Sequence, residues 1–151
     1  MKPIKNYKEI EVPFNTLEGK TFTHIEGKKH DSQIEFYCND GDIFFLNHDQ
    51  ECCEYVFVED IIGNFSDLIG SPILRATEDS ADFNSTHDFN STHDTHDFGT
   101  IKDEDIDLTL TWTFYNISTE KGHVTIRFFG TSNGYYSEEV SLFKIEKKES
   151  V

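Results

Sequence analysis

The chain has 151 residues, 36% of them hydrophobic, with fourteen Phe, six Tyr and one Trp, and carries a formal charge of −16. That length fits one domain around one core, and an aromatic share of 14% sets it apart from charge-driven disordered chains, which are poor in aromatics. An acidic excess of this size argues against nucleic acid and anionic membrane as direct partners and favours basic protein surfaces.

The excess is uneven. Between His30 and Ile101, sixteen carboxylates share the chain with a single base, Arg75, whereas six basic residues face four acidic ones before that block and six face nine after it. The opening MKPIKNYKEIEV contains no apolar run of signal-peptide length, and no stretch of about 18 apolar residues occurs, so the expected setting is the cytosol. Cys38, Cys52 and Cys53 lack the spacing of a disulfide framework or a zinc site, and reduced thiols are expected.

Taken in chain order, Thr21 to Ile25 and Ile34 to Cys38 read as strands, and Asn39-Asp40-Gly41 supplies a hairpin turn into Ile43 to Leu46. Glu54 to Ile62, rich in β-branched and aromatic residues, predicts a third long strand. Gly63-Asn64 breaks it, Ser66 is placed to cap a short helix through Leu68-Ile69, and Gly70-Ser71-Pro72 ends that helix before a short strand at Ile73 to Ala76. The hexapeptide DFNSTH then occurs at 82–87 and again at 88–93, too few copies for a solenoid, so 78–106 reads as a mobile low-complexity insertion.

Beyond it, Leu108, Leu110, Trp112 and Phe114 alternate with Thr109, Thr111, Thr113 and Tyr115 as in a half-buried strand. Val124 to Phe129 alternates likewise, Asn133-Gly134 marks a reversal, and Val140 to Ile145 returns. Three successive strands with short turns predict an antiparallel meander. The fold expected is mainly β of the α+β kind, one domain over 1–151, with one or two short helices and the insertion.

Several residue groups carry possible chemistry. His87, His93 and His96 lie among Asp82, Asp88, Asp94 and Asp97, types that bind Zn²⁺, but a repetitive loop lacks the rigid supporting shell a metal site needs, and no metal or other cofactor is expected. His48, Cys52 and Cys53 could serve a nucleophile or a metal. In extended backbone, however, adjacent cysteines point to opposite faces, which predicts one in the core and one at an edge, inside the most anionic part of the chain. No phosphate loop, nucleophile elbow or HExxH occurs, and no catalytic residue is assigned. Tyr135 and Tyr136 follow a tight turn where a partner could stack on them.

Two blocks carry a family likeness. Residues 48–78 and 111–140, through CCE-x-V-x-VEDI-x-G, DLIGSPIL, TWTFY, KG-x-VTIR and SNGYYSE, resemble a family of small acidic tailed-phage proteins of unassigned function. The resemblance implies a phage or prophage origin and an accessory role in the cytoplasm of an infected bacterium.

The leading functional expectation is a non-enzymatic inhibitor of a host defence or nucleic-acid-handling protein, an anti-CRISPR protein being one example. Same-face residues on a strand lie about 7 Å apart, of the order of charge spacing on nucleic acid. A surface bearing Asp40, Asp42, Asp49, Glu51, Glu54, Glu59 and Asp60, with Tyr135 and Tyr136, would therefore occupy a basic cleft in the host protein. The alternatives are a sponge for a small nucleotide immune signal, using the two tyrosines with Arg75, Arg127 and Lys102, and a metal-dependent hydrolase using paired carboxylates or the His-rich insertion.

Overall fold

Ile34, Phe36 and Cys38 alternate with Gln33, Glu35 and Tyr37, and a period of two lays the first three on one buried face. The same rule shapes nine strands in the computed structural model, which describes residues 7–84 and 108–147. They are β1 (Tyr7–Val12), β2 (Phe22–Glu26), β3 (Gln33–Cys38), β4 (Ile43–His48), β5 (Tyr55–Ile62), β6 (Arg75–Asn84), β7 (Thr109–Thr119), β8 (Gly122–Ser132) and β9 (Val140–Lys147). The pairings between these strands are antiparallel and make two sheets, ordered β1-β9-β4-β3-β2 and β5-β8-β7-β6.

The two sheets share one core. Phe22, Phe36, Phe44 and Leu46 from the first meet Val58, Tyr115, Ile117, Ile126 and Phe128 from the second. Enclosing a side chain of that size stabilises the fold by roughly 1.5–3 kcal/mol, so these positions dominate the energetics.

The architecture is mainly β, as expected, but its α component is absent among the described residues. In place of α-helices there are two single 3₁₀ turns, Phe14–Leu17 where none was placed and Phe65–Leu68 where a short helix was expected. The second is capped by Asn64, whose Oδ1 accepts the Ser66 N–H at 3.0 Å, so Ser66 receives the cap instead of supplying it. Gly63 turns the chain there at φ +110°, and a Cβ on it would fall 2.5 Å from the His123 carbonyl oxygen.

Three further expectations change. The meander consists of β6, β7 and β8; after β8 the chain crosses to the other sheet, where β9 lies between β1 and β4. Residues 78–84, read as part of the insertion, belong to β6 and pair with β7 from Glu78↔Tyr115 to Asn84↔Thr109. The remainder of the proposed insertion, 85–106, lies outside the described residues.

The third change concerns β7. It runs without a bulge to Thr119, so the need to bury Ile117 and Tyr115 sets the side of every residue in it. Thr113, Tyr115 and Ile117 face inward, and the apolar row Leu110, Trp112 and Phe114 is left on the outer face of the sheet. There the Trp112 ring packs 5.1 Å from Phe129, and Phe129 lies 5.8 Å from Phe57, forming an aromatic file across three strands.

Candidate functional site

The seven acids expected to form one surface are divided between the sheets, and most of them have partners. Asp40 and Asp42 sit in the β3–β4 turn, where Lys20 Nζ lies 2.9 Å from Asp40 Oδ2 and 2.5 Å from Asp42 Oδ2. Hydrogen bonding to both carboxylates raises the Lys20 ammonium, and Asp40 is lowered by the hydrogen bonds it accepts from Lys20 and from the Asp42 N–H. Glu59 occupies a bulge in β5, between the pairs Val58↔Phe128 and Asp60↔Arg127. The bulge turns its carboxylate toward Arg127 Nε at 2.7 Å and Trp112 Nε1 at 3.1 Å. Asp60 faces Lys29 at 3.7 Å and Arg127 at 3.8 Å. Asp49 and Glu51 remain exposed.

Glu54 is enclosed. Its Oε2 lies 2.6 Å from His48 Nε2 and accepts the Glu51 N–H at 2.8 Å, while Oε1 accepts the Cys52 N–H at 2.9 Å. Burial works to raise this carboxyl, but the Glu51 amide, His48 and the Cys52 amide outweigh it and hold the group at about 2. The other imidazole nitrogen, Nδ1, lies 2.7 Å from the Glu139 carbonyl oxygen. His48 thus ties the β4–β5 loop to the β8–β9 loop.

A second buried acid completes this end of the sandwich. Glu138 accepts hydroxyl hydrogen bonds from Thr109, from Thr111 at 2.6 Å and from Ser132 at 2.6 Å. Ser132 Oγ also receives the Gly134 N–H at 3.1 Å, which anchors the turn carrying Tyr135 and Tyr136. Tyr135 is 81% exposed and meets Tyr136 edge to face with centroids 4.8 Å apart. The two loops therefore hold each other through a polar interior, with chemistry-bearing residues on the outside.

Among those are Cys52 and Cys53. Instead of diverging as extended neighbours would, one to the core and one to an edge, both are exposed and joined by a disulfide; the chain bends at this loop and brings the two sulfurs together. Cys38 is the buried free thiol, pushed up to about 11 by burial. No free thiol stands beside His48, and the ring's two nitrogens are both engaged, so the cluster is not arranged as a nucleophile and base.

An anionic groove absent from the sequence reading lies along the β1, β6 and β9 edge. It has a volume of about 410 Å³, and Glu11, Glu78 and Glu139 border a floor that includes Phe14, Val140 and Leu142. None of these three carboxylates makes an ion pair among the described residues. Loss of solvation and then the charges of Glu139, Asp79 and Glu11 raise the Glu78 carboxyl, against the opposing influence of the nearby Tyr115 hydroxyl. Sequence reasoning missed the groove because β1 was not recognised as a strand and Glu78 was assigned to the insertion.

Among the described residues, those expected to line a nucleotide pocket do not converge. Arg75 pairs with Ser118 at one end of β7, while Gly134, beside Tyr135, lies against Thr109 at the other, nine residues or roughly 30 Å away. Arg127 is held by Glu59 and Asp60. Lys102, His87, His93 and His96 lie outside the described residues. Among the described residues no group of three or more His, Cys, Asp or Glu is arranged to hold a metal ion, and no helix is long and apolar enough to cross a membrane.

Compared with known proteins, residues 15–142 match a family model described as a domain of unknown function, DUF7448. Neither a curated protein nor a solved structure matches the chain.

Proposed function

Because the chain belongs to the DUF7448 family, a domain of unknown function, we propose from charge and geometry that it is a non-catalytic binding protein presenting carboxylates to a cationic protein partner. In this reading it is phage-encoded, acts in the cytoplasm of the infected host, and blocks the basic nucleic-acid groove of a defence or nucleic-acid-handling protein, a CRISPR nuclease being one such target. The contact surface is the groove of Glu11, Glu78 and Glu139, extended by exposed Asp49 and Glu51 of the loop that His48 ties to Glu139.

The observation that carries this reading is the crowding of like charges around Glu78. Its carboxyl is raised partly by three neighbouring acids, and a lysine or arginine entering the groove would remove that repulsion. Asp40, Asp42, Glu59 and Asp60 already have such cations within their own chain, so they add less to a partner.

A pull-down from bacterial lysate at about 50 mM and about 500 mM salt tests it, with each captured protein assayed for displacement of its bound nucleic acid. The expected result is a salt-labile, nucleic-acid-binding partner lost by Glu11→Lys/Glu78→Lys/Glu139→Lys and retained by Asp40→Asn/Asp42→Asn. Equal capture by the triple variant, or a partner that keeps its nucleic acid, overturns the proposal.

A further inference from the structure

The Cys52–Cys53 bond closes the smallest loop a disulfide can close, since its residues are adjacent in sequence. Cross-links stabilise proteins in proportion to the freedom they remove from the unfolded chain, and that freedom grows with loop length. A bond between neighbours removes almost none, and the shared core of the two sheets already supplies apolar burial. The bond is therefore poorly suited to be a structural staple. Both residues are also exposed, whereas the remaining cysteine, Cys38, is buried and single.

The loop around the bond is built with unusual care for a surface turn. Gln50 Nε2 donates to the Cys52 carbonyl at 3.1 Å and to the Glu54 carbonyl at 2.7 Å, while the Glu51 and Cys52 amides both point at the buried Glu54 carboxylate. Through Glu54 the loop meets His48, and through His48 the Glu139 carbonyl. A change in the path of the Cys52–Cys53 segment acts on amide donors that a buried carboxylate needs, so the sulfur chemistry at the surface reaches a polar interior.

We propose that Cys52 and Cys53 form a reversible thiol–disulfide exchange site that takes dithiol reductants, and that its redox state is transmitted through the Cys52 and Glu51 amides to the Glu54–His48 pair. In the reductive direction, a thiolate of the dithiol attacks one of the two sulfurs and breaks the Cys52–Cys53 bond. A mixed disulfide forms, and the departing cysteine thiolate takes up a proton. The second thiol of the reductant then displaces the other cysteine and closes the reductant's own disulfide. Two electrons and two protons pass to Cys52 and Cys53, and the dithiol is oxidised in equal measure. This inference does not depend on the partner proposed above.

Equilibrating the intact protein in buffers of varied reduced to oxidised dithiothreitol ratio, followed by alkylation in denaturant and peptide mass analysis, tests the site. Oxidising buffers are expected to leave Cys38 as the one alkylated residue, and reducing buffers to give all three cysteines alkylated, through a single two-electron step and without dimers. Three alkylated cysteines at every ratio, or a disulfide that includes Cys38 or a second chain, overturns it. Amide spectra recorded across the same series test the transmission. Reduction is expected to shift the Glu51 and Glu139 amide signals of the unmodified protein, and the same buffers to leave both unmoved in Cys52→Ser/Cys53→Ser. Signals that do not move in the unmodified protein overturn the coupling, even where the exchange itself is seen.

Discussion

His48 Nε2 lies 2.6 Å from Glu54 Oε2, with the two side chains 5% and 0% exposed. The other ring nitrogen lies 2.7 Å from the Glu139 carbonyl oxygen, so both nitrogens meet oxygen partners in the interior. Removing one member leaves the other enclosed without its partner, whereas removing both takes away that mismatch and leaves the Glu51 and Cys52 amides and the Glu139 carbonyl to find water. His48→Leu and Glu54→Leu are each expected to lower the thermal midpoint, and the double variant to lower it by less than the sum. Additive losses in a thermal double-mutant cycle would show that the two residues act independently.

The same pair sets an acid limit. The folded Glu54 carboxyl titrates near 2 and its ordinary value is 4.5, so the folded state gives up this proton more readily than the unfolded chain. Its contribution to stability is complete above about 4.5 and is lost progressively as pH falls toward 2. Urea midpoints measured across this window should fall more steeply for the unmodified protein than for Glu54→Gln, which begins lower and changes less.

Glu78 has the opposite sign. Its carboxyl is raised, so the folded state holds the proton longer than the unfolded chain and loses stability as pH climbs past 4.5 through the folded value. Glu78 is exposed and solvent screens much of this repulsion, so Glu78→Gln is expected to raise the thermal midpoint at neutral pH only slightly. It should also weaken the stabilising effect of added salt, since part of the repulsion that salt screens has gone. A lower midpoint, or an unchanged response to salt, contradicts the crowding around Glu11, Glu78 and Glu139.

Phe114 and Tyr115 are chain neighbours on opposite faces, and they provide a direct check on how β7 is oriented. Tyr115 is 1% exposed, packs against Phe14 at 4.7 Å and donates its hydroxyl to the Val140 carbonyl at 3.0 Å. Tyr115→Ala is expected to cost roughly 3–5 kcal/mol. Phe114→Ala, on the outer face, is expected to cost about 1 kcal/mol. Chemical denaturation of the two variants reads the difference directly, and a reversed order would mean that the strand faces the other way.

What could be read from the residues depended on how local the signal was. The β3–β4 hairpin was legible because Asn39-Asp40-Gly41 fixes its turn, and Gly41 does adopt φ +93°. The β7 orientation was not legible from Leu108 to Tyr115 alone, because the deciding residue is Ile117, two positions further on, and the core it fills comes from the opposite sheet. Glu54 was singled out as a surface acid since charge predicts exposure, and only the turn that aims the Glu51 and Cys52 amides at it makes burial possible. The groove was invisible for the same kind of reason. Glu11, Glu78 and Glu139 are separated by more than sixty residues at each step and meet only through the order of strands.

The place of β9 bears on how this protein is made. Val140–Lys147 is translated after every other described strand, yet it is the strip that joins β1 to the hairpin partner β4. On the ribosome, the first sheet waits as two disconnected pieces with raw hydrogen-bonding edges, while β6, β7 and β8 already have their neighbours. A nascent chain arrested before residue 140 should thus be a magnet for chaperones and for its own copies, and release of the last strand is the moment at which it becomes safe.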